Sequence, residues 1–149
     1  MNTNSIDLTV RPPRSARVRL GGYVILPRML DKCRATLAGK NGEYSYDCPM
    51  DQGFLTFVGI DPAALKAEVA TGKGDGELLA WIEAHATKPR TESEIAAWSD
   101  HREIRAPASL EDRDYFNGEH RRAAPQREDI ATWFDLLDVD DFASFGGKP

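Results

Sequence analysis

The sequence predicts an all-α fold: a single-domain orthogonal multi-helix bundle preceded by an extended basic N-terminal arm. Three observations carry this. After residue 22, apolar residues recur mainly at three- and four-residue spacing. Most such runs open at a capping residue or a proline and stop at a glycine or before a proline. Arg17-Val18-Arg19-Leu20 alternates and could form one short strand. The chain has 149 residues, a usual length for one domain, and can bury roughly 70% of the surface its unfolded form exposes. With no internal repeat, no low-complexity tract and short loops, 1–149 reads as one domain, divided into an arm and Gly-Gly turn (1–22) and a helical bundle (23–145).

The elements follow in order. Pro12 and Pro13, with arginines at 11, 14, 17 and 19, give the arm no helical periodicity. Gly21-Gly22 ends it. The first helix carries an apolar stripe at Leu26, Met29, Leu30, Cys33 and Leu37, tolerates Pro27 in its first turn, and stops at Gly39. Arg28, Asp31, Lys32 and Ala35 fall opposite that stripe, where Asp31 pairing with Arg28 or Arg34 would be an ordinary surface ion pair. A short helix runs from about Asp51 to Val58 and ends at Gly59. Asp61-Pro62 opens the next, through Leu65 and Val69 to Gly72. Asp75 caps a helix bearing Leu78, Leu79, Ile82 and His85. Thr91 with Glu94 forms a capping box for a helix with Ile95 and Trp98, halted by Pro107. Ser109 starts another from Leu110 past Phe116, fraying at Asn117-Gly118 and ending near Pro125. Ile130, Trp133, Phe134 and Leu137 mark the last, closed by Asp138 and the segment after it.

Charge is distributed unevenly. Residues 1–40 hold eight Lys/Arg against two Asp, a net of +6, which leaves −11 for the remainder of a chain whose total is −5. The two parts can neutralise each other within one chain or across a dimer, or the arm can meet a partner. A pI near 5.2 disfavours nucleic acid. Met1-Asn2-Thr3-Asn4-Ser5 has no basic-then-apolar leader pattern, and the longest aliphatic run near it is Val24-Ile25-Leu26, so neither secretion nor a membrane is expected. Two cysteines, Cys33 and Cys48, are too few for a disulfide framework, which suits the cytoplasm.

Several chemistries fail on spacing. His85, His101 and His120 are scattered, so no metal is expected. Asp138, Asp140 and Asp141 lack the central glycine and closing glutamate of a calcium loop. Gly72-Lys73-Gly74-Asp75-Gly76 lacks the phosphate-loop pattern and is a turn. Trp81, Trp98 and Trp133 are core aromatics. Cys33 lies on the core face and is expected to be inert, whereas Cys48, beside Pro49 in a loop, is the better nucleophile.

The arginines remain. Guanidinium groups recognise phosphate and carboxylate through paired hydrogen bonds, and a Gly-Gly turn leading straight into a helix would add free backbone N–H groups. Arg14, Arg17, Arg19, Tyr23, Arg28 and Arg34 are therefore the candidate anion-binding residues. The competing reading has Arg11, Arg14, Arg17 and Arg19 pairing with acidic residues of the protein itself or of a second copy.

The strings Arg11-Pro12-Pro13-Arg14-Ser15, Arg17-Val18-Arg19-Leu20-Gly21-Gly22-Tyr23, Leu26-Pro27-Arg28, Leu30-Asp31-Lys32-Cys33-Arg34 and Cys48-Pro49-Met50-Asp51-Gln52 resemble a bacterial family known as domain of unknown function 5069. The likeness is tight over residues 7–60 and continues in order through Trp133-Phe134-Asp135-Leu136-Leu137. It implies a small cytoplasmic bacterial protein and brings no activity, cofactor or catalytic residue with it.

Together these point to a non-enzymatic binding or interaction domain without a cofactor. Its basic arm and first helix would contact an anionic group on a partner protein, a second copy in a homodimer, or a small ligand. The alternative is a small enzyme acting on a phosphorylated or carboxylated molecule, with Arg14, Arg17, Arg28 or Arg34 holding the anion and Tyr23, Asp31, Tyr44 or Cys48 as acid, base or nucleophile.

Overall fold

Helix α1 (Leu26–Leu37) is the centre of the molecule, because every residue from Leu26 to Ala35 is buried. A helix buried on all sides is normally apolar all round. This one carries Arg28, Asp31, Lys32 and Arg34, so the rest of the chain must bring it counter-charges. The computed structural model describes residues 6–149; Met1 to Ser5, on which the reading of no leader pattern rests, lie outside the described residues. Among the described residues there are seven helices and no strand. After α1 come α2 (Pro49–Val58), α3 (Pro62–Val69), α4 (Asp75–His85), α5 (Glu92–Ile104), α6 (Leu110–Ala123) and α7 (Trp133–Ser144).

The apolar face of α1 builds the largest core. Leu26, Met29, Leu30 and Cys33 pack against Phe54, Leu55 and Val58 of α2, Leu65 and Val69 of α3, and Leu78 and Ile82 of α4. A second cluster joins Phe116 of α6 to Leu136 and Val139 of α7 through Ala124 and Ile130. Between them, Ala16, Val24 and Ile25 close on Phe134, so the arm and the start of α1 are held against the last helix. Burying one such aromatic or aliphatic side chain contributes about 1.5–3 kcal/mol.

The described part of the arm forms no helix and no strand. Arg17 to Leu20, the segment with strand-like alternation, makes a single antiparallel bridge from Leu20 to Tyr23 around the Gly-Gly turn. Gly21 and Gly22 both have positive φ, and a side chain at Gly21 would run into Leu79 at 2.7 Å. The turn does not lead straight into α1. The N–H groups of Tyr23, Val24 and Ile25 donate to Leu20 O, Ser99 Oγ and Ala16 O at 3.0, 3.2 and 2.9 Å. Ile25 then caps the helix at φ 75° and ψ −38°, a strained conformation for a β-branched residue, held in place by its complete burial.

Three helices differ from the sequence reading at their ends. Helix α2 begins at Pro49, with Cys48 as its N-cap. Gly74, not Asp75, precedes the first turn of α4, because the Asp75 carboxylate is taken by arginines. Helix α7 starts after Ile130, capped by Thr132 in a capping box with Asp135, and runs through Asp138 to Ser144. The aspartates after Leu137 resemble a stop signal, yet Asp138 and Asp141 stay helical because Arg17 and Arg28 partner them. Helix α6 passes through Asn117-Gly118 unbroken.

Candidate functional site

The polar face of α1 is not a surface. Asp31, 7% exposed at its side chain, accepts from the backbone N–H, Nε and a terminal nitrogen of Arg14 at 2.9, 3.0 and 3.0 Å. The same arginine reaches Asp75 at 2.7 Å, and Arg34 reaches Asp75 at 2.9 Å and Asp31 at 3.8 Å. Burial alone would raise the Asp75 carboxyl, but hydrogen bonds from Arg14 and Arg34 outweigh it and hold it below its ordinary value. One turn from Asp31, Arg28 meets Asp141 of α7 with two nitrogens at 2.7 and 3.3 Å, both side chains under a tenth exposed. Lys32 pairs with Asp51 of α2 at 2.9 Å.

The outer arm continues the pattern. Arg17 binds Asp138 at 3.0 Å and also Asp135, and Arg19 binds Asp100 and Glu103 at 2.8 and 3.1 Å. Arg14, Arg17, Arg19, Arg28, Lys32 and Arg34 thus each meet a carboxylate from beyond residue 40, so the charge asymmetry is neutralised in large part within one chain. Tyr23 lies elsewhere, in the core. Its ring packs edge-on to Phe54 at 5.1 Å and Trp98 at 6.2 Å, and burial raises its hydroxyl pKa.

A different grouping surrounds a cavity of about 680 Å³ between the arm, α1, the 42–48 loop and α7. Leu8, Met50, Leu137 and Phe145 supply apolar wall, and Arg28, Lys32, Tyr44 and Cys48 supply polar groups. The arm reaches this place because Leu8 is buried and its N–H donates to Lys40 O at 2.9 Å. Gly42 lets the loop close on it, since a side chain there would lie 2.8 Å from Leu8 O. Tyr44 donates to Asp141 Oδ1 at 2.8 Å, and its ring stands 5.4 Å from the Arg28 guanidinium carbon. Burial, with the bond to Asp141 next, keeps the Tyr44 hydroxyl protonated well above the ordinary range.

Cys48 and Lys32 are in contact at the edge of this cavity. Lys32 Nζ donates to Cys48 Sγ at 3.2 Å and to Asp51 Oδ1 at 3.0 Å. Asp51 in turn accepts from the Asp47 N–H at 3.0 Å, and Asp47 takes a positive φ of 63°, which an aspartate tolerates. The thiol therefore sits at the N-cap of α2, where partial positive charge gathers, beside a buried ammonium. Cys33 is also a free thiol, but it is sealed in the core, and burial pushes it up to about 12.

Of the candidate residues, the cavity gathers Arg28, Tyr44 and Cys48. Arg14, Arg17, Arg19, Arg34 and Asp31 lie in the ion-pair layer around it or further out, and Tyr23 lies in the core. Sequence reasoning gave Lys32, Asp51 and Asp141 no role. Asp51 had a local signal, an aspartate in the first turn of a helix that opens at Pro49; Asp141 had none, because its partner lies over a hundred residues away. Among the described residues, no three His, Cys, Asp or Glu side chains group as metal ligands, and no helix is long and apolar enough to cross a membrane.

These features define a small all-α protein with a charged central helix and a mixed apolar and polar cavity beside it. The chain belongs to the family described as domain of unknown function (DUF5069), whose model matches residues 10–143. No curated protein matches it.

Proposed function

We propose that the protein binds a small molecule in the cavity beside Cys48, one with an apolar body and a carboxylate or similar acceptor head. The observation that carries this is the 680 Å³ volume, which is of ligand-site size. Its walls are largely apolar, and Lys32, Arg28 and Tyr44 stand among its polar lining groups together with Glu43 and Asp140. Because Arg28 and Lys32 already have carboxylate partners, they would serve the ligand as hydrogen-bond donors rather than as net charge. In this reading the arm's arginines anchor the arm, and the arm's contribution to binding is the wall formed by Leu8 and Thr9. An NMR screen of aromatic and aliphatic carboxylates tests it: hits should shift Thr9, Ser45 and Leu137 together, and Ser45→Trp, which fills the space, should abolish the shifts. Hits that map elsewhere, or that survive Ser45→Trp, would reject it.

One observation favours a second reading, a thiol-dependent enzyme: the 3.2 Å contact from Lys32 Nζ to Cys48 Sγ. In this reading Cys48 Sγ would be the nucleophile, with Lys32 Nζ beside it as its hydrogen-bond donor. Cys48→Ser separates the two readings. A binding protein keeps its ligand affinity in this variant and turns over nothing in either form, whereas an enzyme keeps binding and loses turnover.

A further inference from the structure

Arg102 lies outside the pairing described above. It lies near the end of α5 and is only partly exposed, yet its buried Nε has no hydrogen-bond partner. Among the described residues, no carboxylate lies within ion-pair distance of Arg102 or of Arg105, one turn on. The two guanidinium groups are close enough that Arg105, after burial itself, lowers the affinity of Arg102 for its proton. Two like charges held together without a counter-ion are unfavourable, and a chain that supplies carboxylates to Arg14, Arg17, Arg19, Arg28 and Arg34 supplies none here.

The surroundings hold the group in place. A side chain at Gly53 would come within 2.8 Å of Arg102 NH1, so the guanidinium lies in a recess that glycine leaves open on α2. Its carbon stands 5.2 Å from the centre of the Trp98 ring, and Trp98 stacks on Phe57 at 5.0 Å and 11°. On the other side of Arg102 and Arg105, a slot of about 220 Å³ runs between Met50, Trp133 and Phe134. Met50 also borders the larger cavity, but the cations of the two sites are different residues.

We infer that Arg102 and Arg105 form a second binding site, for a small organic anion whose phosphate or carboxylate bridges the two guanidinium groups and whose apolar body enters the slot against Trp133. Guanidinium groups match such oxyanions with paired hydrogen bonds, and Arg102 and Arg105 both line the slot. The anion would remove the mutual repulsion of the arginines, so binding should stabilise the fold. The site does not depend on the proposed ligand of the Cys48 cavity.

The test uses the full chain with phenyl phosphate as probe, inorganic phosphate for the headgroup alone and benzyl alcohol for the ring alone, observed through the indole N–H signals of Trp98 and Trp133. Phenyl phosphate should give a saturable shift below about 10 mM, inorganic phosphate a weaker one and benzyl alcohol none. Arg102→Gln and Arg105→Gln should each weaken phenyl phosphate at least about tenfold, or about 1.4 kcal/mol. Arg102→Lys, which keeps the charge and loses the fork, should not restore it, and Arg121→Gln, which removes an equal charge from exposed α6, should leave it unchanged. No saturable shift in the unaltered protein, an equal loss in Arg121→Gln, or full binding in Arg102→Gln would each overturn the assignment. Wild-type-like spectra of Arg102→Gln without probe exclude misfolding as the cause of lost binding.

Discussion

Lys32 and Asp51 form an ion pair closed off from water, with Nζ 2.9 Å from Oδ2 and side-chain exposures of 6% and 1%. Such a pair gains little over an apolar pair of similar volume, but losing one partner strands a buried charge. Asp51→Ala should therefore cost about 3–5 kcal/mol in urea denaturation. The double variant Lys32→Met/Asp51→Leu should recover much of that, and a double variant as unstable as the single one would disprove the argument.

Arg28 and Arg19 offer a contrast of burial. Arg28→Met leaves Asp141 under cover and should cost about 3–5 kcal/mol, together with the Tyr44 contact to the guanidinium. Arg19 pairs with Asp100, which is 72% exposed, so Arg19→Gln should change stability by no more than about 1 kcal/mol. Raising the salt concentration should shrink the Arg19 effect and leave the Arg28 effect nearly unchanged.

Acid should destabilise the protein partly through Asp75 and Asp135. Burial would raise both carboxyls. Arg14 and Arg34 outweigh it at Asp75, and backbone N–H groups of Thr132 and Ala131 lead the opposing effects at Asp135, so both are held below the ordinary 3.8. A lowered folded-state value contributes stability that is complete above 3.8 and disappears as pH falls through the lower value. Asp51 works in the opposite sense, because burial outweighs Lys32 and raises it; its ionisation detracts from stability at neutral pH, and that loss lifts as pH falls. Thermal melts between about pH 5 and pH 2 should show a shallower acid loss for Asp75→Asn than for the unaltered chain. An unchanged slope would remove Asp75 from the account.

The two thiols should be told apart by alkylation. Iodoacetamide under native conditions should modify Cys48, which borders the cavity, and leave Cys33 untouched, since Cys33 is fully buried and its thiol is raised to about 12. Peptide mass mapping reads the site. Modification of Cys33 at a comparable rate would contradict the packing of α1.

Most helix positions could be read from local signals, because caps, first-turn prolines and apolar spacing act over a few residues. Thr91 with Glu94 and Asp61 with Pro62 are such signals, and both open helices where expected. The misread end of α7 has a non-local cause. Asp138 and Asp141 resemble a stop until Arg17 and Arg28, over a hundred residues away, occupy them. The cavity was half visible: Arg28, Tyr44 and Cys48 stood out as chemically capable, while Lys32 passed for a solvated residue because the face opposite an apolar stripe is usually exposed.

The sequence by itself determined an all-α chain with an arm free of helix, since backbone propensity, capping and apolar period are properties of neighbouring residues. It also determined that a basic segment would have to find negative charge. Only the tertiary structure decided where. Charge pairing across long separations depends on which helices pack, and packing sealed α1 on every side. Its cations then took carboxylates from α2, α4 and α7, and among the described residues Arg102 and Arg105 were left with none.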